Sequence, residues 1–69
     1  VLQVWQVIDV LRGLSKDHRQ VIVELFYRRL TVNEAAAVLG VPPGTVKSRS
    51  YYALHALRAA LEERGVTGS

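Results

Sequence analysis

The chain has 69 residues, a formal charge of +3 and no cysteine. That length allows one domain with a small core, and the missing cysteines exclude disulfides and thiolate metal sites. No apolar run approaches the ~20 residues of a membrane span, so no membrane contact is expected of this domain, while a pI near 9.8 points to an anionic partner. The acids stand at Asp9, Asp17, Glu24, Glu34, Glu62 and Glu63. None falls between Ala35 and Leu61, the window that holds Lys47, Arg49 and Arg58. The chain starts without Met and inside an apolar pattern, as expected of a piece of a longer protein. It carries no signal-peptide pattern, repeat or low-complexity segment.

An all-α domain of four helices and no strand is expected. The first helix spans about Leu2 to Arg12 and stops at Gly13. Its polar stripe (Gln3, Gln6, Asp9, Arg12) is thin, whereas Val1, Leu2, Val4, Trp5, Val7, Ile8, Val10 and Leu11 are apolar. That is more apolar surface than one small core absorbs, so Leu2, Trp5 and Val7 are candidates for a surface that meets a protein partner. The second helix starts after Ser15, a good N-cap, with Asp17 in its first turn. Val21, Ile22, Leu25 and Phe26 form its expected core face, and Arg28 and Arg29 end it where cations suit the dipole. A capping box, Thr31-x-x-Glu34, opens the third helix. Its alanines at 35–37 permit close approach by another helix, and Gly40 is the natural cap. The fourth helix begins near Pro43, runs ~30 Å to about Arg64 and ends at Gly65. Residues 66–69 are expected to be a disordered tail.

The third and fourth helices, about residues 31–64, form a helix-turn-helix within a single domain spanning 1–65, winged-helix-like without a wing. Ala36, then Gly40, then Val46 is the spacing that two helices crossing at a tight turn require. In the fourth helix Val46, Ser50, Ala53, Leu54, Leu57 and Leu61 repeat at three and four and are expected to face inward. Lys47, Ser48, Tyr51, Tyr52 and His55 lie opposite. They offer donors, acceptors and flat apolar surface without an acid, the chemistry that addresses base edges in a major groove. The backbone N–H groups of Gly44 and Thr45 are expected to point free toward a phosphate.

Gly-Thr-Val-Lys-Ser-Arg at 44–49, with Glu34-Ala35-Ala36 and Leu39-Gly40-Val41-Pro42 before it, resembles region 4 of bacterial sigma factors of the extracytoplasmic-function (ECF) group. The resemblance covers roughly Leu11 to Leu61 and includes Leu14-Ser15-x-x-x-Arg19. It implies a cytoplasmic bacterial protein that is no enzyme and needs no cofactor or metal. It implies binding of the −35 element in double-stranded promoter DNA as part of RNA polymerase holoenzyme, docking on the flap of the polymerase β subunit, and capture by an anti-sigma factor. Position by position, Lys47, Ser48, Tyr51 and Tyr52 would face bases. Arg28, Arg29, Thr31, Gly44, Thr45 and Arg49 would lie at phosphates. After Arg49 the chain departs from the family, with Ser50-Tyr51-Tyr52-Ala53-Leu54 where further cations are usual, which weakens the expected phosphate attraction.

Other readings stand beside these. Lys47 and Arg49 could be solvated charges, and Tyr51 and Tyr52 could pack beneath the first helix. Arg28 and Arg29 could act only as a helix cap, and Arg19 could pair with Asp9 or Glu34. His18 and His55 have no partners at ligand spacing, and Ser15 and Ser48 have no base for a hydrolytic triad. Competing functions are a LuxR-type response-regulator effector domain, whose four-helix layout is similar, and a protein-docking module that never touches DNA.

Overall fold

The computed structural model describes residues 3–65 and places four helices in them. They are α1 (Val4–Gly13), α2 (Lys16–Ile22, continuing as a π turn over Val23–Tyr27), α3 (Val32–Leu39) and α4 (Pro43–Glu63). No strand occurs among the described residues. The 21 residues of α4 reach ~30 Å at 1.5 Å per residue, and α4 accordingly sets the long axis of a 35 × 19 × 18 Å molecule. The expected tail, 66–69, and Leu2 lie outside the described residues.

Local chemistry sets most of the helix ends. At α2, the Ser15 hydroxyl oxygen accepts from the His18 N–H at 3.3 Å. At α3 the capping box closes in both directions. The Glu34 N–H donates to Thr31 Oγ1 at 3.1 Å, and the Thr31 N–H donates to Glu34 Oε1 at 2.8 Å. Gly40 ends α3 at φ +70, the left-handed region where a missing Cβ matters. α1 ends differently from expectation. Gly13 is its last helical residue, and the chain turns extended at Leu14, whose N–H donates to the Leu11 carbonyl.

The core is small and made of small residues: Val10, Val21, Ile22, Ala35, Ala36, Val46 and Ala53. At the α3–α4 crossing, Ala35, Ala36 and Val46 form one buried cluster, with Leu25, Leu30, Val32 and Val41 packed around it. Alanine there lets the two backbones approach, and Val46 fills the space that remains. Two expected core residues are exposed instead. Leu54 is 42% exposed, because it sits about 100° around α4 from the fully buried Ala53. Phe26 is 54% exposed, and the cause is the π turn. There the Arg28 N–H donates to Val23 and the Leu30 N–H to Glu24. The wider turn breaks the regular ~100° spacing within it; Leu25 packs against the core cluster, while Phe26 and Tyr27 are exposed.

Arg19 pairs with neither expected acid. Asp9 meets Arg64 at 3.8 Å, and Glu34 is committed to the Thr31 cap. The Asp9–Arg64 contact ties α1 to the end of α4.

Ala36 is buried in the cluster where α3 meets α4. Ala36→Leu is expected to destabilise the domain by about 1–3 kcal/mol through overpacking, measured as a lower urea midpoint with an unchanged m-value.

Candidate nucleic-acid interface

α4 is positioned by its buried side. Val46 and Ala53 are fully buried, which fixes the rotation of the helix and turns Lys47, Ser48, Tyr51 and Tyr52 to solvent. The structure therefore brings the four expected base-facing residues together on one exposed face. Tyr51 and Tyr52 meet edge to face with ring centroids 5.2 Å apart, and the Tyr51 ring lies 4.5 Å from that of His55. These contacts limit the rotamers of Tyr51 and produce a firm aromatic ridge one turn behind Lys47. Packing of the tyrosines beneath α1 does not occur; both are exposed.

At the front of α4 no side chain caps the helix. The Thr45 N–H is not free as expected, because it donates to the Pro42 carbonyl at 2.9 Å in a tight first turn. Gly44 is exposed, and a Cβ built on it meets nothing within 4 Å. The opening there faces outward, so it serves no packing need inside the chain.

The cations divide into two groups. Arg28 Nη1 lies 2.6 Å from Glu24 Oε1, a carboxylate whose side chain is only 13% exposed. Arg49 lies 3.8 Å from Asp17 at the start of α2, and Arg58 lies 3.4 Å from Glu62. Among the described residues Lys47 and Arg29 enter no ion pair, and neither do Arg12, Lys16 and Arg19. As a donor Thr31 retains only its hydroxyl proton, since its N–H is bonded to Glu34. The acid depletion of the sequence persists in space. Among the described residues, the one acid within ion-pair range of the 43–52 segment is Asp17, and it is held by Arg49.

The expected partner surface divides too. Trp5 is 61% exposed, while Val7 lines an apolar groove of about 470 Å³ with Leu11, Ile22, Val23, Phe26 and Tyr27. Phe26 and Tyr27 are surface residues that the sequence does not reveal, because helical periodicity assigns Phe26 to the core and no sequence pattern announces a π turn. Val4 and Ile8 extend the exposed apolar face along α1. No cluster of His and acidic residues able to hold a metal occurs among the described residues.

A short helix, a left-handed glycine turn and a long helix with an exposed cationic front define a helix-turn-helix domain. Residues 10–59 match the family model described as sigma-70, region 4, and the chain belongs to that family. It is 49% identical over 59 residues to the ECF RNA polymerase sigma factor SigL of Mycobacterium tuberculosis, covering 86% of this chain and 33% of that protein. It is 41% identical over 56 residues to the RNA polymerase sigma-E factor of Streptomyces avermitilis, covering 81% of this chain and 31% of the relative. To the sigma-E factor of Streptomyces coelicolor it is also 41% identical, with 81% and 32% covered. The chain thus spans about a third of the length of the curated relatives it matches. Family membership decides between the two helix-turn-helix classes considered from the sequence, in favour of the sigma factor over the LuxR-type effector.

The two intrahelical ion pairs are expected to differ in worth. Arg28→Ala strands the nearly buried Glu24 carboxylate and is expected to destabilise the domain by about 1 kcal/mol or more. Arg58→Ala breaks an exposed pair and should change stability by less than about 0.5 kcal/mol. Paired urea denaturation curves check the contrast.

Proposed function

We propose that this domain recognises the −35 element of promoter DNA as region 4 of an ECF sigma factor, within RNA polymerase holoenzyme in the bacterial cytoplasm. The observation that carries this reading is the rotation of α4. Val46 and Ala53 lock it so that Lys47, Ser48, Tyr51 and Tyr52 share one exposed face free of acids. Lys47 and Ser48 lie within the first two turns of the helix, the part that enters a major groove. The Lys47 ammonium is suited to guanine O6 and N7, Ser48 to either a donor or an acceptor, and the tyrosine ridge to apolar edges such as the thymine methyl.

Phosphate contacts fall around this face. Gly44 leaves open space for a phosphate at the front of α4, and the Thr31 hydroxyl and Arg29 sit at the front of α3. Arg49, already beside Asp17, contributes as a partly neutralised cation, and Arg28 is the weakest candidate because Glu24 holds it. Thr45 would act through its side chain, since its N–H is bonded within the turn.

A protein partner is supported by a separate feature, the apolar groove between α1 and the π turn. None of its lining residues belongs to α4, which suits docking on the flap of the polymerase β subunit while DNA is bound. Trp5 and Val7 form part of this surface. An anti-sigma factor covering the same apolar face would then compete with polymerase.

Selection from a randomised duplex pool, with core polymerase present, tests the DNA reading. A single enriched motif is expected, and enrichment of none would refute it. Lys47→Ala and Ser48→Ala are expected to flatten the motif by about 1–3 kcal/mol of base discrimination each, with little change in melting temperature. In the same assay Gly44→Ala is expected to raise stability by roughly 0.5–1 kcal/mol while weakening binding to every sequence.

The groove is tested with Phe26→Ser. Its exposure predicts an intact fold and unaltered motif preference, with reduced co-purification of core polymerase. Undiminished polymerase binding would remove the groove from the docking surface.

A further inference from the structure

The two arginines that end the second helix look interchangeable in sequence, yet the fold treats them differently. Arg28 is held by Glu24 at 2.6 Å. Arg29 is exposed, enters no ion pair or side-chain hydrogen bond among the described residues, and adopts φ +59. It is the one residue other than glycine with a positive φ among those described. Chirality disfavours that region for any residue bearing a Cβ, and glycine is the residue that occupies it freely. The backbone there is dictated by its neighbours. The π turn ends at Arg28, Leu30 returns its N–H to the Glu24 carbonyl, and Leu30 packs against the α3–α4 cluster. The turn therefore requires the left-handed conformation, and an arginine occupies it without an ion pair or side-chain hydrogen bond inside the described chain.

Arg29 stands two residues ahead of Thr31, the N-cap of α3. In a helix-turn-helix the first helix of the motif crosses the DNA backbone, and its N-terminus favours anions. A strained position carrying an unpaired cation beside that crossing is a candidate for function. We infer that Arg29, rather than Arg28, is the phosphate-contacting arginine ahead of the motif, and that the domain gives up stability to keep a cation where glycine would fit best. The inference rests on the DNA-binding reading above. It adds a specific division of labour between two adjacent arginines and a conflict between folding and binding at one of them.

The test is Arg29→Gly, with Arg29→Lys beside it, measured in the chain by thermal melting and by fluorescence anisotropy on a mixed-sequence DNA duplex across a salt series. Arg29→Gly is expected to move the two readouts oppositely. The melting temperature rises by several degrees, while binding weakens and the slope of log K against log salt becomes shallower by about 0.9. Arg29→Lys should keep the wild-type slope and show no gain in melting temperature. A glycine variant that binds with the wild-type slope and affinity overturns the inference and leaves Arg29 a turn residue. A glycine variant that melts lower shows that the left-handed backbone is not strained by arginine, and overturns it as well. Absence of salt-dependent binding by the wild-type chain is a different failure, since it removes the DNA-binding reading itself.

Discussion

The close crossing of α3 and α4 is the constraint on which the rest depends. Ala35 and Ala36 on one helix meet Val46 on the other, with Gly40 left-handed in the turn between them. Two backbones come close only where the side chains between them are small. Once they do, Val46 sets how α4 is rotated about its axis. The composition of its outward face results from that single placement. A helix of the same sequence turned by half a revolution would bury Lys47 and Ser48 and leave valine and alanine in water. The exposed face of α4 is thus a consequence of packing on the opposite side of the helix.

The same economy explains why so little of the core is large. The buried residues are valines, alanines and one isoleucine, so the chain holds its bulky apolar side chains elsewhere. Trp5, Ile8, Phe26 and Tyr27 are exposed along α1 and the π turn. A small domain with an alanine-rich crossing thus leaves an apolar groove open to solvent among the described residues. Two faces with different chemistry result. One is polar, cationic and aromatic along α4, and the other is apolar between α1 and α2. The groove is lined by residues of α1, α2 and its π turn, and none of them belongs to α4.

Much of this was legible in the residues. The Thr31–Glu34 box, Gly40, Pro43 and the Ala36–Gly40–Val46 spacing are local signals, each set by a cap, a turn or a contact between adjacent elements. They located α3, the turn and the start of α4 without tertiary information, and with them the face carrying Lys47, Ser48, Tyr51 and Tyr52. The features that could not be read depend on the register of distant packing. The π turn at Val23–Tyr27 has no composition of its own, so regular periodicity wrongly turned Phe26 inward. Leu54 is a leucine at an acceptable spacing, and only the burial of its neighbour Ala53 excludes it. Ion pairing behaves likewise. Asp17 reaches Arg49 across two helices, and Asp9 reaches Arg64 across nearly the whole chain, pairs that spacing alone does not reveal.

The central claim is that the exposed front of α4 meets DNA while the α1 groove does not. Backbone amide chemical shifts of the chain, tracked by NMR as a promoter duplex is added, address it directly. Perturbations concentrated at residues 44–52 and around the start of α3, with Val7, Leu11 and Val23 unmoved, are the expected pattern. Shifts centred on the groove, with Lys47 and Ser48 unchanged at saturation, would contradict it.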